Sequence, residues 1–526
     1  MKRKTDIKSL QEKTFDLLII GGGITGAGIF HEATARGYRC LLIEKGDFAS
    51  GTSSRSAKLI HGGIRYLKYG KLGLIKESLE ERNYLLKTYP HLVKPLPFLF
   101  PVYDSPVKYR VGMAMYHYLD NHNALPDYQY IEKEEVIKYF SPINQENLRA
   151  GFIYYDAVTN DARLCSEVIH STMQRSGSVA FNYCELESTV ADGENFVVHC
   201  HDHLAQQPVA FKTRFLANAG GIWTDDIQGR LTNAASGFSA PSKGIHLVFS
   251  KKRFPVETAL VIPSYADDGR MNYALPWEND TVIAGTTDTE YSGNLNVPLA
   301  ANEDVQYVLE SIQKFAPSLR ITADDILFVY AGLRPLFREE KSSAARSRDY
   351  QIWWSSEKIL NIYGGKLTSF HSMANAFMDE FQTKAALISS VKMQPFQEKK
   401  WTDRLPISFV LRLKAEYAEQ CDYIFSIALE QESHLETLNK SIEITIAELI
   451  YFIRFQQCYH LDDLLARRLS LIYCINGWED KEAIIRKAAG VMKTECGWTD
   501  EELGREIELC NRQLNLPLPG NQQAKA

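Results

Sequence analysis

Residues 15–26 read FDLLIIGGGITG, an apolar run that passes directly into Gly21-x-Gly23-x-x-Gly26. The run predicts a buried strand, and the helix-like IFHEATARG (29–37) follows it. The three glycines between them have separate jobs. Gly21 turns the chain sharply, Gly23 carries no Cβ to obstruct a pyrophosphate, and Gly26 lets the helix pack close to the sheet. The helix opens at Ile24 and Thr25, where free N–H groups and the positive end of the dipole favour an anion. Working outward, the next apolar run, RCLLIEKG (39–46), closes on Glu44. A carboxylate at the tip of a second strand can accept hydrogen bonds from a ribose diol. Strand, glycine turn, helix and spaced acid together predict a dinucleotide-binding α/β unit.

A polar stretch, FASGTSSRSAKLIHGG (48–63), comes next. It is too rich in Gly, Ser and Thr for a core and too long for a plain connection, so it reads as a functional loop. Residues 72–89 carry apolar side chains at helical spacing (Leu74, Ile75, Leu79, Leu85, Leu86), and 160–176 also read as helix. Residues 178–200 and 210–217 alternate like strands, the latter ending in FLANAGG (215–221). Four short β-like runs between 242 and 290 predict an antiparallel sheet inserted into the nucleotide unit. LFVYAGLRP (327–335) and ILNIYGGKLTSF (359–370) each carry a strand into glycine, and the second leads into a helix over 367–384. After Pro395 the composition shifts, and 407–515 read mostly as amphipathic helix.

A chain of 526 residues is too long for one core and predicts two or three domains. With 45% apolar and 24% charged residues it is an ordinary globular composition, and a net charge of −6 argues against nucleic-acid binding. Nine cysteines without a CxxC pair predict reduced thiols, with neither a metal site nor a disulfide framework. The apolar run before the glycines is too short for a secretory signal, and no uninterrupted apolar stretch is long enough to span a bilayer. The expected location is the cytoplasm or the cytoplasmic face of the inner membrane.

The segments GGGITGAG (21–28), TSSRSAKLIHGGIRYL (52–67), KGIHLVF (243–249), AGTTDTEY (284–291), AGLRPL (331–336), SRDY (347–350) and YGGKLTSF (363–370), in this order, resemble the FAD-dependent glycerol-3-phosphate dehydrogenases. The resemblance runs over about residues 15–375, and LDDLLARR (461–468) is similar to that family's C-terminal helical domain. It implies an α/β protein with a glutathione-reductase-like FAD domain, a substrate domain built on antiparallel sheet, and a C-terminal all-α domain. The expected boundaries are 15–90, 150–241 and 325–385 for the FAD domain, 91–149 and 242–324 for the substrate domain, and 396–515 for the helical domain. The implied reaction oxidises sn-glycerol 3-phosphate to dihydroxyacetone phosphate by hydride transfer from C2 to flavin N5, with electrons passed to a membrane quinone. An oxygen-dependent glycerophosphate oxidase, or another flavin oxidase on the same scaffold, is the alternative.

FAD is expected over NAD because a second contact motif, 363–370, recurs far from the fingerprint, and a flavin is long enough to need both. Gly364 and Gly365 would let backbone approach the isoalloxazine. N–H groups at Lys366, Leu367 and Thr368 would then face its O2/N1 edge, which gains negative charge on reduction. From the loop, Thr52, Ser53, Ser54 and Lys58 are candidate pyrophosphate and ribityl contacts, with Leu59, His61, Gly62 and Gly63 against the flavin. Lys45, Ala219, Gly220 and Arg334 complete the expected cofactor set.

By resemblance, Arg65, Tyr66, Arg334 and Lys366 face the substrate, with Arg348 of SRDY added. Arg suits a phosphate dianion because its planar fork meets two oxygens at once. Arg65 and Arg334 each follow glycine in apolar surroundings (HGGIRYL, YAGLRPL), where an unpaired guanidinium would be costly. Oxidation of a secondary alcohol needs a base for the hydroxyl proton. His61 and His246 are the candidates, unranked, with Arg334 stabilising the developing alkoxide.

The chain departs from the family in NAGGIWTD (218–225), where Ile222 stands in place of proline, and at Arg55, where a small residue is usual. No long insertion of the oxidase type and no EF-hand loop is present, which favours a quinone-linked enzyme. VKYRVGMAMYHYL (107–119) reads either as an interfacial membrane contact or as a core helix. Self-association as a homodimer is open.

Overall fold

The computed structural model describes residues 7, 10–120, 124–232, 237–266, 270–339, 349–386, 390–396, 404–440 and 442–515, and only the backbone of Arg65, Lys68 and Tyr69. The stretch that opens the sequence forms the strand Thr14–Ile20 at the middle of the first sheet. Its order is Tyr350–Ser356, Ile359–Gly364, Gln207–Asn218, Thr14–Ile20, Cys40–Ile43, Val179–Phe181. The last five run parallel, and the edge strand Tyr350–Ser356 is antiparallel to its neighbour. Leu17 and Ile19 face one side of this sheet, against the helices Ile24–Ala35, Asp161–Arg175 and Phe370–Gln382. Leu18 and Ile20 face the other side. A strand buried on both faces must be apolar throughout, which is why this run shows no alternation.

The second sheet is mixed and larger. Its backbone path runs Thr289–Glu290, Ser242–Ser250, Thr281–Gly285, Met271–Trp277, Ala259–Pro263, Val93–Val102, Ala150–Thr159, Leu59–Ile60, with Ile326–Arg334 added beside Ser242–Ser250. The helix Asn302–Phe315 covers one face through Val305, Val308, Leu309 and Ile312.

Three strands differ from the expected partition. Ala150–Thr159 and Ile326–Arg334 fall within the spans 150–241 and 325–385 assigned to the FAD domain, yet both pair in the second sheet. Ala150–Thr159 finds its partner in Val93–Val102 and Ile326–Arg334 in Ser242–Ser250, so the two sheets exchange strands where they meet. Leu59–Ile60, inside the 15–90 span, likewise pairs with Ala157 and Val158.

Residues 404–515 form mainly helices, with one hairpin, Thr437–Asn439 and Ile442–Thr445. Their apolar cluster takes in Val248, Ile283 and Tyr330 of the second sheet, so this part packs on the back of that sheet. Among the described residues, no helix is long and apolar enough to cross a membrane.

Candidate active site

A long cavity opens at the carboxyl ends of the first sheet's parallel strands, the place where α/β sheets bind nucleotides. The glycine turn shapes one wall. Gly21 has φ +114°, and a Cβ there would lie 2.5 Å from Ala219 O. A Cβ on Gly26 would meet Gly21 O at 1.9 Å, so only glycine lets the helix Ile24–Ala35 sit this close. Gly26 therefore packs on backbone and does not itself line the cavity, whereas Gly21, Gly23, Ile24 and Thr25 do. The helix start is fixed by Ser53, whose Oγ accepts from Ile24 N at 2.9 Å.

Glu44 lines the same end. Its Oε2 accepts from Gly22 N at 2.7 Å and its Oε1 from Gly46 N at 2.9 Å. Burial pushes its carboxyl up, and the two amides oppose that shift. Lys45 lies over the Trp223 ring at 3.9 Å and donates to Asn296 Oδ1. Further along, the walls are Ser50, Gly51, Thr52 and Ser53 on one side, and Ala219, Gly220 and Ile222 on the other. Ile222 is buried, filling the position where the family's proline was expected. The cavity ends at Ile362–Leu367, just before a single 3-10 turn, Leu367–Ser369, that leads into the helix Phe370–Gln382.

There it meets a second cavity, which shares Ile24, Thr52, Ser53, Pro335, Gly365, Lys366 and Leu367 and extends over the second sheet. His61, Tyr66, His246, Arg334 and Lys366, far apart in sequence, all line it, with Leu59 and Gly63. Lys366 Nζ lies 4.3 Å from the centre of the Tyr66 ring. Arg334 Nη2 donates to Thr286 Oγ1 at 3.1 Å and Thr287 O at 3.0 Å, with Asp288 Oδ1 at 3.6 Å from Nη1. His246 is stacked on Tyr330, ring centres 4.8 Å apart, and neither ring nitrogen has a hydrogen-bond partner among the described residues. Burial, then Arg334 and Lys58, push His246 down to about 3, so its imidazole is neutral.

Besides Gly26, four expected cofactor contacts lie elsewhere. Lys58 is buried and points away from both cavities: Nζ pairs with Asp161 Oδ1 at 2.6 Å and donates to Ser54 O at 2.7 Å. Ser54 is buried, with Oγ directed at Gly51 O. Gly62 is closed in beneath the cavity by Leu79 and Tyr116, its N–H given to Asp156 Oδ1. Thr368 uses its Oγ1 to accept from His61 N at 3.3 Å, holding a wall residue without being one. Arg348 lies outside the described residues, and for Arg65 only the backbone is described. Arg55 lines the second cavity, and burial, then Arg467, push its guanidinium down, with Tyr473 and Asp462 opposing.

Sequence reasoning missed Asp156, Thr286, Thr287 and Asp288, all in the second cavity's wall. Asp156 accepts from Arg82 Nη1 at 2.7 Å and Tyr116 OH at 2.8 Å. A lone acid inside the apolar strand AGFIYYDAVT was the available signal.

The donor set fits an extended dinucleotide. A carboxylate stands at one end, helix-start amides in the middle, and close-approach glycines with a lysine at the other. The comparisons agree. Residues 16–366 match the family model described as FAD dependent oxidoreductase, and residues 356–503 match the C-terminal domain of alpha-glycerophosphate oxidase. The aerobic glycerol-3-phosphate dehydrogenase of Staphylococcus aureus is 32% identical over 504 residues, covering 90% of this chain and 89% of that one. The glycerol-3-phosphate dehydrogenase of Bacillus halodurans, solved with FAD, superposes with a TM-score of 0.77 at 29% identity, covering 98% of this chain and 97% of that one. L-alpha-glycerophosphate oxidase from Mycoplasma pneumoniae shares the fold, with a TM-score of 0.57 at 18% identity over 73% of this chain and 97% of that one. FAD is the cofactor, and the chain belongs to the FAD-dependent glycerol-3-phosphate dehydrogenase family.

Proposed function

We propose that the protein oxidises sn-glycerol 3-phosphate to dihydroxyacetone phosphate and passes the electrons to a membrane quinone. One observation carries the substrate: Arg334 and Lys366 enter one cavity beside a neutral histidine, at the end of the nucleotide cavity where the flavin would lie. FAD, when bound, supplies the two-electron acceptor for the C2 hydrogen. Arg334 and Lys366 hold the phosphate and, with the Tyr66 ring, orient C2. The hydroxyl proton passes to a ring nitrogen of His61 or His246, and Arg334 stabilises the charge left on O2. Glu44 and the amides of Gly23 and Thr25 would hold the adenosine and pyrophosphate.

The helix Pro106–Leu119 supports the membrane acceptor. Val107, Val111, Met115 and Tyr118 are 68%, 60%, 41% and 80% exposed and lie along one face. Met113 and Tyr116 on the opposite face are buried with Phe98 and Tyr154, which line the second cavity. A bilayer docked on the outer stripe would bring lipid-soluble quinone within one helix of the site.

Anaerobic titration with sn-glycerol 3-phosphate should bleach the oxidised flavin bands, with no response to glycerol or the opposite enantiomer. An unchanged spectrum overturns the substrate. Oxygen as acceptor is a second reading, favoured by the glycerophosphate-oxidase match of residues 356–503. Stoichiometric hydrogen peroxide during aerobic turnover would select it. Val111→Glu should release the protein from anionic vesicles, and equal flotation of variant and parent would sink the docking surface.

A further inference from the structure

The loop that walls the nucleotide cavity has a second face. Asp47, in the same turn as Glu44, is buried and points into the helical part of the chain. Its Oδ2 accepts from Arg467 Nε at 2.6 Å and Arg468 Nη1 at 2.8 Å, and its Oδ1 accepts from Arg468 Nη2 at 2.8 Å. Burial opposes its ionisation, but Arg468 and Arg467 outweigh it and hold the carboxyl far below the usual range. Both arginines lie on one π-helical turn, Asp463–Arg468, a rare geometry that turns adjacent side chains towards one carboxylate. That turn is anchored in its own part: Arg467 Nη2 donates to Asp462 and Asp463, and Arg468 Nη2 donates to Gln456 O.

A second tie lies seven residues along the loop. Tyr473 OH donates to Ser54 O at 3.3 Å and lies 3.2 Å from Lys58 Nζ. Between these ties sit Ser50–Ser53, which line the nucleotide cavity, and Ser53 fixes the amide of Ile24. The ties leave the loop little freedom to shift away from the helix start. Among the described residues, none of the helical part lines either cavity.

We infer that Arg467, Arg468 and Tyr473 are positioning residues for the cofactor: the helical part clamps loop 46–54 from behind and so sets how tightly FAD is held. Coupling of this kind is reciprocal. FAD in the cavity must tighten the helical part on the loop, although no described residue of that part lines the cavity.

The test uses the full-length holoenzyme. In Asp47→Asn and Arg468→Gln, FAD release after dilution, followed by the rise in flavin fluorescence, should be at least tenfold faster than in the parent. The double variant should match the faster single and not their product. Arg468→Lys keeps the charge but loses the fork, and should fall between. In the unaltered protein, amide exchange over residues 456–475 should slow as free FAD is raised. The inference is overturned if both variants release FAD within twofold of the parent while their thermal midpoints fall, because the cluster then only glues two parts together. It is also overturned if added FAD slows exchange only at residues lining the cavity, a result that stands even where the variants do not fold.

Discussion

Gly244→Ala isolates Arg334 without removing its charge. Gly244 lies in the strand Ser242–Ser250, opposite Gly332, and its backbone conformation suits any residue. A Cβ there would fall 2.3 Å from Arg334 Nη2, 2.8 Å from its Cζ and 2.6 Å from Thr286 Oγ1. Contacts under 3.0 Å do not persist, so the guanidinium must retreat by at least 0.7 Å, the gap between 2.3 and 3.0. Its bonds to Thr286 Oγ1 and Thr287 O, at 3.1 and 3.0 Å, then pass beyond hydrogen-bond reach. The obstructing atoms are side-chain ends, so the strand stays in place. A displaced charge-assisted contact to substrate phosphate costs about 1.5–3 kcal/mol, or roughly one to two orders of magnitude in kcat/KM. Anaerobic stopped-flow bleaching of the flavin measures this, with FAD content and thermal midpoint as controls. Inhibition by inorganic phosphate should weaken by the same factor. A kcat/KM within twofold of the parent, with phosphate inhibition intact, would show that Arg334 does not meet the substrate.

Gly26→Ala sets a Cβ 1.9 Å from Gly21 O, where the obstacle is backbone, so the purified chain should carry almost no flavin; a parental flavin-to-protein ratio would refute this. His460 is pushed up to about 9: burial opposes its charge, but the hydrogen bond to Glu506 and the fields of Asp463 and Glu506 outweigh it. The native state therefore holds this proton more tightly than the unfolded chain. Its contribution is complete below about pH 6.5 and is lost as pH rises to about 9, so His460→Gln should flatten the decline of the urea midpoint in that window. His246, down at about 3, should show no imidazole titration between about pH 5 and 8 in the NMR spectrum of the substrate-free enzyme, and a titrating ring would contradict its burial.

What the sequence made legible was local. The glycine fingerprint and Glu44 are set by spacing within one strand–helix–strand unit, and Gly21, Gly23 and Glu44 all line the cavity. Partnership between distant segments was not legible. Ile326–Arg334 read correctly as a strand and Ala150–Thr159 was not read as one, and the sheet of both is decided by Val93–Val102 and Ser242–Ser250, which no local pattern names. Residues 107–119 gave a helical stripe without saying which side met solvent. The structure turns Met113 and Tyr116 inward and leaves Val107, Val111, Met115 and Tyr118 outside.

Lys58 shows the same limit most sharply and yields a decisive experiment. A lysine in a Ser/Thr-rich loop beside a dinucleotide fingerprint reads as a phosphate ligand, because its position suggests nothing else. Its actual partner, Asp161, starts the helix Asp161–Arg175, and Tyr473 comes from the helical part. Burial opposes the ammonium, but Asp161 and then Tyr473 outweigh it, so the lysine remains charged. Lys58→Met leaves the Asp161 carboxylate buried with, among the described residues, only Ser56 and the adjacent Ala162 amide as donors. Breaking a buried pair from one side costs about 3–5 kcal/mol, visible as a lower urea midpoint. Removing both charges, in Lys58→Met with Asp161→Asn, should recover most of that loss and with it the flavin content. If Lys58 instead bound pyrophosphate, the single variant would keep its midpoint and lose FAD. The double variant would then stay as empty of flavin as the single, because no change at Asp161 can replace a missing phosphate ligand.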